Sequence, residues 1–545
     1  MTPSKATRAP RPSTSSRSEV APAGSALRGP ELDLRARYGG LSIDSRREAA
    51  IGISALSILV VCSLLFVVIA ADRPSLFSAT THAGFFPGWM AGPLGGLWPG
   101  LTRNGTTLRY MFTATMAAMY ASYLLALRYV PSMTTTRLRA RWAIAAVVAV
   151  HAIFFLAPPM ALTDIFNYVN YGRMEVVHHL NPYTTYPILE PHSDASYALS
   201  NWHQLLSPYG PLFTLLTFAL VPLGVAASFW AIKTVLVAAS LGTILLVWRC
   251  AEMLDLDPVK AIVLVGLNPI VLVWGLGGDH NDFLMVFSIV LGFYLLLRAR
   301  GGGASVPANE PVTAPGLDAP SGPRRAPGRI GDRLWPLSAA EIGAGAAFVA
   351  ATALKASGGV LIPIVLAGLL RAPRRFTQVL LGMVAAGVLI GAASLIAFGL
   401  HIPDLSTQSR LVTNISVPNL LGLALGGGGE TEALHNVLTG VLALSVLGCC
   451  VLAWRRQDSM TASGWATVAL LVTLGWVLPW YVLWLLPLAA LSSSRRLRTT
   501  ALVLGAYLIV AWSPASGLLW GAIHFHPEKT SLGRLHQRYV KELLN

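Results

Sequence analysis

Long apolar runs separated by short polar ones set the pattern of this chain. Ile51 to Ala71, Arg109 to Leu127, Trp142 to Pro158, Ala226 to Trp248 and Phe376 to Gly399 each approach or exceed the roughly 20 residues that cross a hydrocarbon core about 30 Å thick. Ala261 to Gly275, Phe283 to Leu297, and residues 338–354, 356–370, 436–453, 465–478, 482–491 and 500–519 are apolar but shorter or more interrupted. Residues 212–223 read as a re-entrant or interfacial helix. The pattern predicts an all-α polytopic membrane protein with about thirteen spans, several of them broken or tilted around a cavity.

The polar breaks carry an orientation. Arg46 and Arg47 precede the first run, and 128–141 holds Arg128, Arg137, Arg139 and Arg141 without an acid. Arg371, Arg374 and Arg375, then Arg455 and Arg456, then Arg495, Arg496 and Arg498 mark further breaks. Arginine-rich short loops face the cytoplasm, which places the N-terminus there too. The alternate breaks have the opposite character. Residues 159–209 hold Asp164, Glu175, Glu190 and Asp194 against Arg173, and 400–435 hold Asp404, Glu430 and Glu432 against Arg410. These loops, and the Gly/Pro/Trp-rich loop 72–108 with Trp89 and Trp98, are expected outside.

Composition agrees. The 545 residues are 54% hydrophobic and 12% charged, half the share of a soluble domain, at about 25%. The net charge of +15 sits in interhelical loops and tails, so it does not call for a nucleic-acid partner. Cys62, Cys250, Cys449 and Cys450 lie in or beside apolar runs and imply no disulfide framework. Residues 1–48, rich in Pro, Ser and Arg, read as a disordered cytoplasmic tail without a signal-peptide pattern. Residues 298–337 read as a disordered cytoplasmic linker between two membrane modules, 49–297 and 338–520. The span count puts the tail 521–545 outside, although its basic residues fit the cytoplasm and one miscounted helix would move it there. No internal repeat of the kind found in many transporters is visible.

Four polar groups then converge on the expected outer side. Asp164 opens a run in which Tyr168 and Tyr171 share its helical face, with Asn167, Asn170 and Arg173 beside them. Asn181-Pro182-Tyr183 and Ser207-Pro208-Tyr209-Gly210-Pro211 are rigid turns that present tyrosines. Asp279-His280-Asn281-Asp282 lies at a helix mouth, and Lys355 sits between two short helices. Plain structural roles stand beside the chemical ones: Asp164 as a helix cap, the tyrosines as interface anchors, the acidic turn as a solvated loop. A lysine inside a helical hairpin is costly unless paired, and is a functional candidate by default; Lys233 could instead snorkel along its own helix. His178, His179, His192 and His203 match no zinc spacing. No cofactor is expected, and dependence on a divalent ion is left open. Carboxylates, a lysine and tyrosines at a lipid–water boundary suit a reaction between a lipid phosphate and a sugar chain: the lysine neutralises phosphate and a carboxylate removes a hydroxyl proton.

Thr163-Asp164-Ile165-Phe166-Asn167-Tyr168, Gly172-Arg173, Asn181-Pro182-Tyr183, Ser207-Pro208-Tyr209-Gly210-Pro211, Asn268-Pro269, Gly278-Asp279-His280-Asn281-Asp282, Leu354-Lys355 and Pro479-Trp480-Tyr481-Val482-Leu483-Trp484 together resemble the actinobacterial α-1,6-mannosyltransferases of MptA/MptB type. These are GT-C membrane glycosyltransferases, and the resemblance covers roughly residues 50–520. It implies a GT-C-like bundle and a donor of mannose β-linked to polyprenyl phosphate on the outer leaflet. The implied acceptor is a lipid-anchored mannan, extended through α-1,6 bonds in the core of lipomannan and lipoarabinomannan. It also implies a catalytic acid in the first large outer loop, which falls on Asp164. Where many GT-C enzymes carry a second acid two positions earlier, this chain has Leu162. On this reading Asp164 is the base and Lys355 and Arg173 hold the donor phosphate. Tyr168, Asn181, Tyr183, Tyr209, His280, Asn281, Asp282, Trp480 and Tyr481 contact substrate, with the His280 turn alternatively orienting Asp164. A flippase for lipid-linked sugars, or a GT-C enzyme using another polyprenyl-phosphate sugar, are the competing readings.

Overall fold

A computed structural model describes residues 43–72, 105–132, 136–160, 163–301 and 337–544. The expected tail as far as residue 42, most of loop 72–108 including Trp89 and Trp98, and linker residues 302–336 lie outside the described residues. The elements follow as α1 (Ile43–Asp72), α2 (Gly105–Tyr129), α3 (Thr136–Leu156), α4 (Asp164–His178), α5 (Pro211–Leu220), α6 (Gly224–Met253), α7 (Pro258–Gly266), α8 (Asp282–Gly301) and α9 (Ala339–Leu354). The second part holds α10 (Ile362–Leu369), α11 (Pro373–Phe398), α12 (Val417–Ala424), α13 (Glu432–Arg456), α14 (Ser459–Thr473), α15 (Leu486–Leu491), α16 (Arg495–Trp512), α17 (Ser516–Ala522) and α18 (Ser531–Leu544). The described residues contain no strand.

Seven helical stretches are long and apolar enough to cross a membrane, or eight if α16 and α17, bent by 77°, form one span. The remaining apolar runs form shorter helices, among them α9, residues 356–369, α14 and residues 479–491. The re-entrant segment expected at 212–223 is instead continuous with the next helix. Residues 211–253 form one 43-residue stretch through a 3₁₀ turn at Val221–Leu223. At 1.5 Å per residue it is longer than a ~30 Å core requires. The last span, expected at 500–519, ends at Trp512.

Membrane helices associate through close packing rather than apolar burial against water. At the α9–α11 crossing, a Cβ on Gly345 would lie 2.0 Å from the Val379 carbonyl, and one on Gly382 would lie 1.9 Å from that of Ile342. Only glycine permits this approach. The outward faces of α11 and α13 leave Val388, Leu389, Ile396, Val437 and Leu444 exposed, as a lipid-facing surface would.

The two ends of the bundle differ. Arg139 pairs with Asp257 at 3.1 Å, and Arg375 pairs with Glu341 at 2.6 Å, at the end where the arginine loops gather. Following α3 or α7 to the other end reaches Asp164 and the Asp279 turn. The C-terminal tail returns to that second end: Leu543 clusters with Trp202, Leu205 and Leu411, and its carbonyl accepts from the Gln204 amide.

Candidate active site

Asp164 is the first residue of α4. The cap position belongs to Thr163, whose hydroxyl instead donates to Asn167. The Asp164 carboxylate points across to the Asp279 turn, where its Oδ2 lies 3.1 Å from His280 Nδ1. Capping is thus not its role among the described residues.

A broken helix delivers that turn. Asn268-Pro269 interrupts the span after α7; the Asn268 side chain accepts from the Ile270 amide, and residues Val271–Leu276 widen into a π turn. Such bulges often mark functional positions. Asp279 then takes a left-handed conformation (φ 54°), reversing the chain so that Asp282 opens α8. Both ends of the turn are tied to lysines. Lys233 Nζ lies 3.0 Å from Asp279 Oδ2 and donates to the Ala157 carbonyl, with Lys233 and Asp279 0% and 2% exposed. Lys233 therefore does not snorkel. Lys355 Nζ reaches both oxygens of Asp282 at 2.8 Å, and the Trp484 indole also donates to Oδ1.

Lys355 caps the C-terminus of α9. Gly210 sets its position: the Gly210 amide donates to the Leu354 carbonyl, and a Cβ there would lie 2.1 Å from the Ala353 oxygen. The ammonium sits 5.0 Å from the Tyr481 ring centre and 5.4 Å from that of Trp484, and these two rings stack. Trp480 stacks on His280 at 3.5 Å, fixing the imidazole beneath Asp164.

Asp164 and Lys355 line one cavity of about 420 Å³, with Asn167, Tyr171, Tyr209, Trp480 and Tyr481. Its remaining wall is largely apolar, including Leu405, Leu411, Leu470, Leu474 and Leu478. A volume in the 300–1,000 Å³ range with few placed polar groups is typical of a ligand site. Asp164 is 15% and Lys355 20% exposed, so both reach the space. Among the described residues, the indole N–H of Trp480 and both polar side-chain atoms of Gln408, another lining residue, are buried without a hydrogen-bond partner. Buried polar atoms are rarely left unpaired, and those at a cavity wall are positioned for a ligand.

Other expected contacts lie elsewhere. His280, Asn281 and Asp282 are each 1% exposed and stand behind the cavity wall. His280 orients Asp164, Asp282 holds Lys355, and the Asn281 amide N–H donates to the Tyr168 hydroxyl. Tyr168 packs edge-on to Tyr209 beneath the cavity. Arg173 does not reach it: its guanidinium makes a forked pair with Asp194, at 2.8 Å in the closest contact, which also accepts from His178. Asn181 and Tyr183 form a brace. Asn181 donates to the Phe398 carbonyl and closes an Asx turn with the Tyr183 amide, and the buried Tyr183 hydroxyl contacts the Tyr209 carbonyl and Thr214. Sequence reasoning missed Lys233–Asp279, Gln408, Trp202 and Trp476, all but the first at the cavity wall. Lys233 and Asp279 were each visible as charges but not as a pair, and the other three signalled only as an aromatic or amide residue within a loop or at a helix end.

Comparison with known proteins bears on these residues. Residues 75–371 match the family model described as α-(1→6)-mannopyranosyltransferase, N-terminal domain, and residues 412–526 match the MptB C-terminal domain. An α-(1→6)-mannopyranosyltransferase of Mycobacterium tuberculosis is 27% identical over 65% of this chain and 66% of its own length. Mannopyranosyltransferase A of the same organism is 25% identical over 69% of this chain and 70% of its own. That of Corynebacterium glutamicum is 24% identical over 60% and 66%. The chain thus spans about two thirds of the length of the curated relatives it matches. No solved structure matches. The first match alone spans more than half the sequence and contains Asp164, the Asp279 turn and Lys355, and on that ground the chain belongs to the α-(1→6)-mannopyranosyltransferase family.

Proposed function

We propose that the protein is a membrane mannosyltransferase. It moves mannose from polyprenyl-phosphate-mannose to a lipid-anchored mannan on the outer face of the cell membrane, forming α-1,6 bonds in the core of lipomannan and lipoarabinomannan. The supporting observation is that a hydrogen-bonded carboxylate, Asp164, and a cation, Lys355, share one aromatic and apolar cavity. The arginine loops at the far end argue for an outward-facing cavity and a cytoplasmic N-terminus.

Asp164 takes the proton from the acceptor 6-hydroxyl as that oxygen attacks the anomeric carbon of the donor mannose. The new C–O bond forms on the face opposite the phosphate, so the β-linked donor gives an α-linked product. The old C–O bond breaks toward phosphate, and its electron pair leaves with the polyprenyl phosphate. Lys355 meets the leaving phosphate, and its forked contact with Asp282 fixes the ammonium in place beforehand. His280 holds Asp164 in position, and Trp480 holds His280. The leucine-lined wall suits the prenyl chain next to the phosphate.

The test is transfer from polyprenyl-phosphomannose to a short α-1,6-mannoside by purified protein in detergent, with and without chelator. An α-1,6-linked product supports the reading. Its absence in detergent, together with donor movement across vesicle membranes, would make the protein a flippase, and transfer from a different polyprenyl-phosphate sugar would change the donor.

A further inference from the structure

A second cavity, of about 490 Å³, adjoins the first at the same end of the bundle. Trp476 lines both. The second cavity is built from residues 412–415, the bent α16–α17 segment and the tail around α18. These come almost wholly from the part that matches the MptB C-terminal domain and from the tail beyond it. None of Asp164, Lys355 or the Asp279 turn lines it.

Its lining mixes aromatic faces with hydrogen-bonding groups, among them His526 and His536. Trp476, Trp512 and Trp520 offer ring surfaces, and Asn414, Glu528 and Gln537 offer donors and acceptors. The Trp520 indole N–H is buried without a partner among the described residues. A hydrocarbon occupant would leave the Trp520 N–H unpaired and desolvate Asn414, Gln537 and the Glu528–His526 pair, which is unfavourable. A sugar satisfies both halves of the lining: its C–H faces lie against indole rings and its hydroxyls both donate and accept. The first cavity also carries aromatic and polar groups, but Leu405, Leu411, Leu470, Leu474 and Leu478 make much more of its wall apolar.

We propose that this second cavity is a carbohydrate-binding site that holds the part of the sugar-chain acceptor remote from the reacting hydroxyl. The chain passes Trp476 to bring its end to Asp164. The choice of a mannose chain rests on the reaction proposed above; the site itself rests on the lining. The tail helix α18 supplies part of the wall, which gives the C-terminal segment a role in acceptor choice.

The experiment is donor-free binding of α-1,6-mannotetraose and α-1,6-mannobiose to the full-length protein in detergent, read by calorimetry, alongside transfer kinetics. Wild type is expected to bind the tetraose about tenfold more tightly, the worth of one or two extra polar contacts. Trp520→Ala should lose that preference and leave mannobiose affinity and its turnover unchanged. Gln537→Leu, on the exposed side of the tail helix, should reduce the preference in the same direction and serves if Trp520→Ala does not fold. Equal affinity of wild type for the two sugars, retention of the preference in both variants, or displacement of the tetraose by a polyprenol would overturn the site. Binding needs no turnover: a chain that binds the tetraose as expected but transfers no mannose would sink the reaction and keep the cavity. One that transfers mannose without preferring the tetraose would do the reverse.

Discussion

Two lysine–aspartate pairs hold the same four-residue turn, and they differ in what the lysine can reach. Lys233–Asp279 is sealed on every side, with the ammonium also bonded to the Ala157 carbonyl. Lys355–Asp282 has its acid equally buried, but its ammonium looks into the cavity over two aromatic rings. The sealed pair can only position the turn that carries His280. The open pair can position and also meet an anion. A buried ion pair is thus not by itself a functional signature; access of one partner to the cavity is what separates the two.

Lys233→Met separates the two pairs by the largest effect. It leaves Asp279 buried without its partner, a change expected to remove roughly 3–5 kcal/mol of stability, read as a lowered unfolding temperature in detergent. Adding Asp279→Asn should recover most of it, because the uncharged amide needs no cation and still suits the left-handed backbone at this position. A single variant as stable as wild type would show that the sealed pair does not hold the turn. Lys355→Gln should act differently. Asp282 retains the Trp484 hydrogen bond, so stability changes less, while the apparent KM for the polyprenyl-phosphate donor rises about tenfold, as loss of a charge-assisted contact implies. An unchanged donor KM would remove Lys355 from the phosphate site.

Tyr183→Phe tests a group assigned to the brace rather than to substrate. Losing its hydroxyl contacts should lower stability by about 1 kcal/mol with donor and acceptor KM unaltered. A raised KM would return Tyr183 to the substrate site.

The smallest expected effect concerns acids in the loop after α4. Burial acts on Asp194 too, but the Arg173 guanidinium, Ser196 and His178 hold its carboxyl well below the usual range. Among the described residues the Glu190 carboxyl has the Asn170 amide as its direct partner, and burial pushes it up to about 7. A raised folded value means that the folded loop favours the protonated acid. Its stabilisation is complete below the usual glutamate range and is lost as pH rises through about 7. Hydrogen exchange in residues 187–199, corrected for intrinsic rates, should therefore show less protection at pH 8 than at pH 6, and Glu190→Gln should flatten the difference. Equal protection at both values in the wild type would contradict this.

Much of the site was legible in the sequence because its residues break a pattern. Asp164 and Lys355 are charges at the ends of apolar runs, where a bilayer makes them conspicuous. The Asp279 turn was visible for the same reason. What periodicity does not carry is which way a turn faces. Tyr183 follows a proline in what looks like an interface anchor, yet its ring faces inward to Thr214. Arg173 read as a phosphate ligand because its partner, Asp194, lies 21 residues on in a loop without a repeating pattern. Lys233 and Asp279 are 46 residues apart on different elements, so their pairing exists only in the fold. The helical class was clear from the apolar runs. The number of crossings was not, because short runs such as 479–491 and the α16–α17 bend are set by packing rather than length.

Asp164 is proposed as the base of the mannosyl transfer. The direct measurement is the rate of mannose transfer from polyprenyl-phosphomannose by Asp164→Asn, beside wild type, in protein shown to be folded by its unfolding temperature and its donor binding. The amide keeps the shape and can still contact His280, but it cannot take the proton, so turnover should fall by at least 10²–10⁴-fold, the usual contribution of a general base, with donor affinity retained. Near-normal turnover of the folded variant would contradict the account.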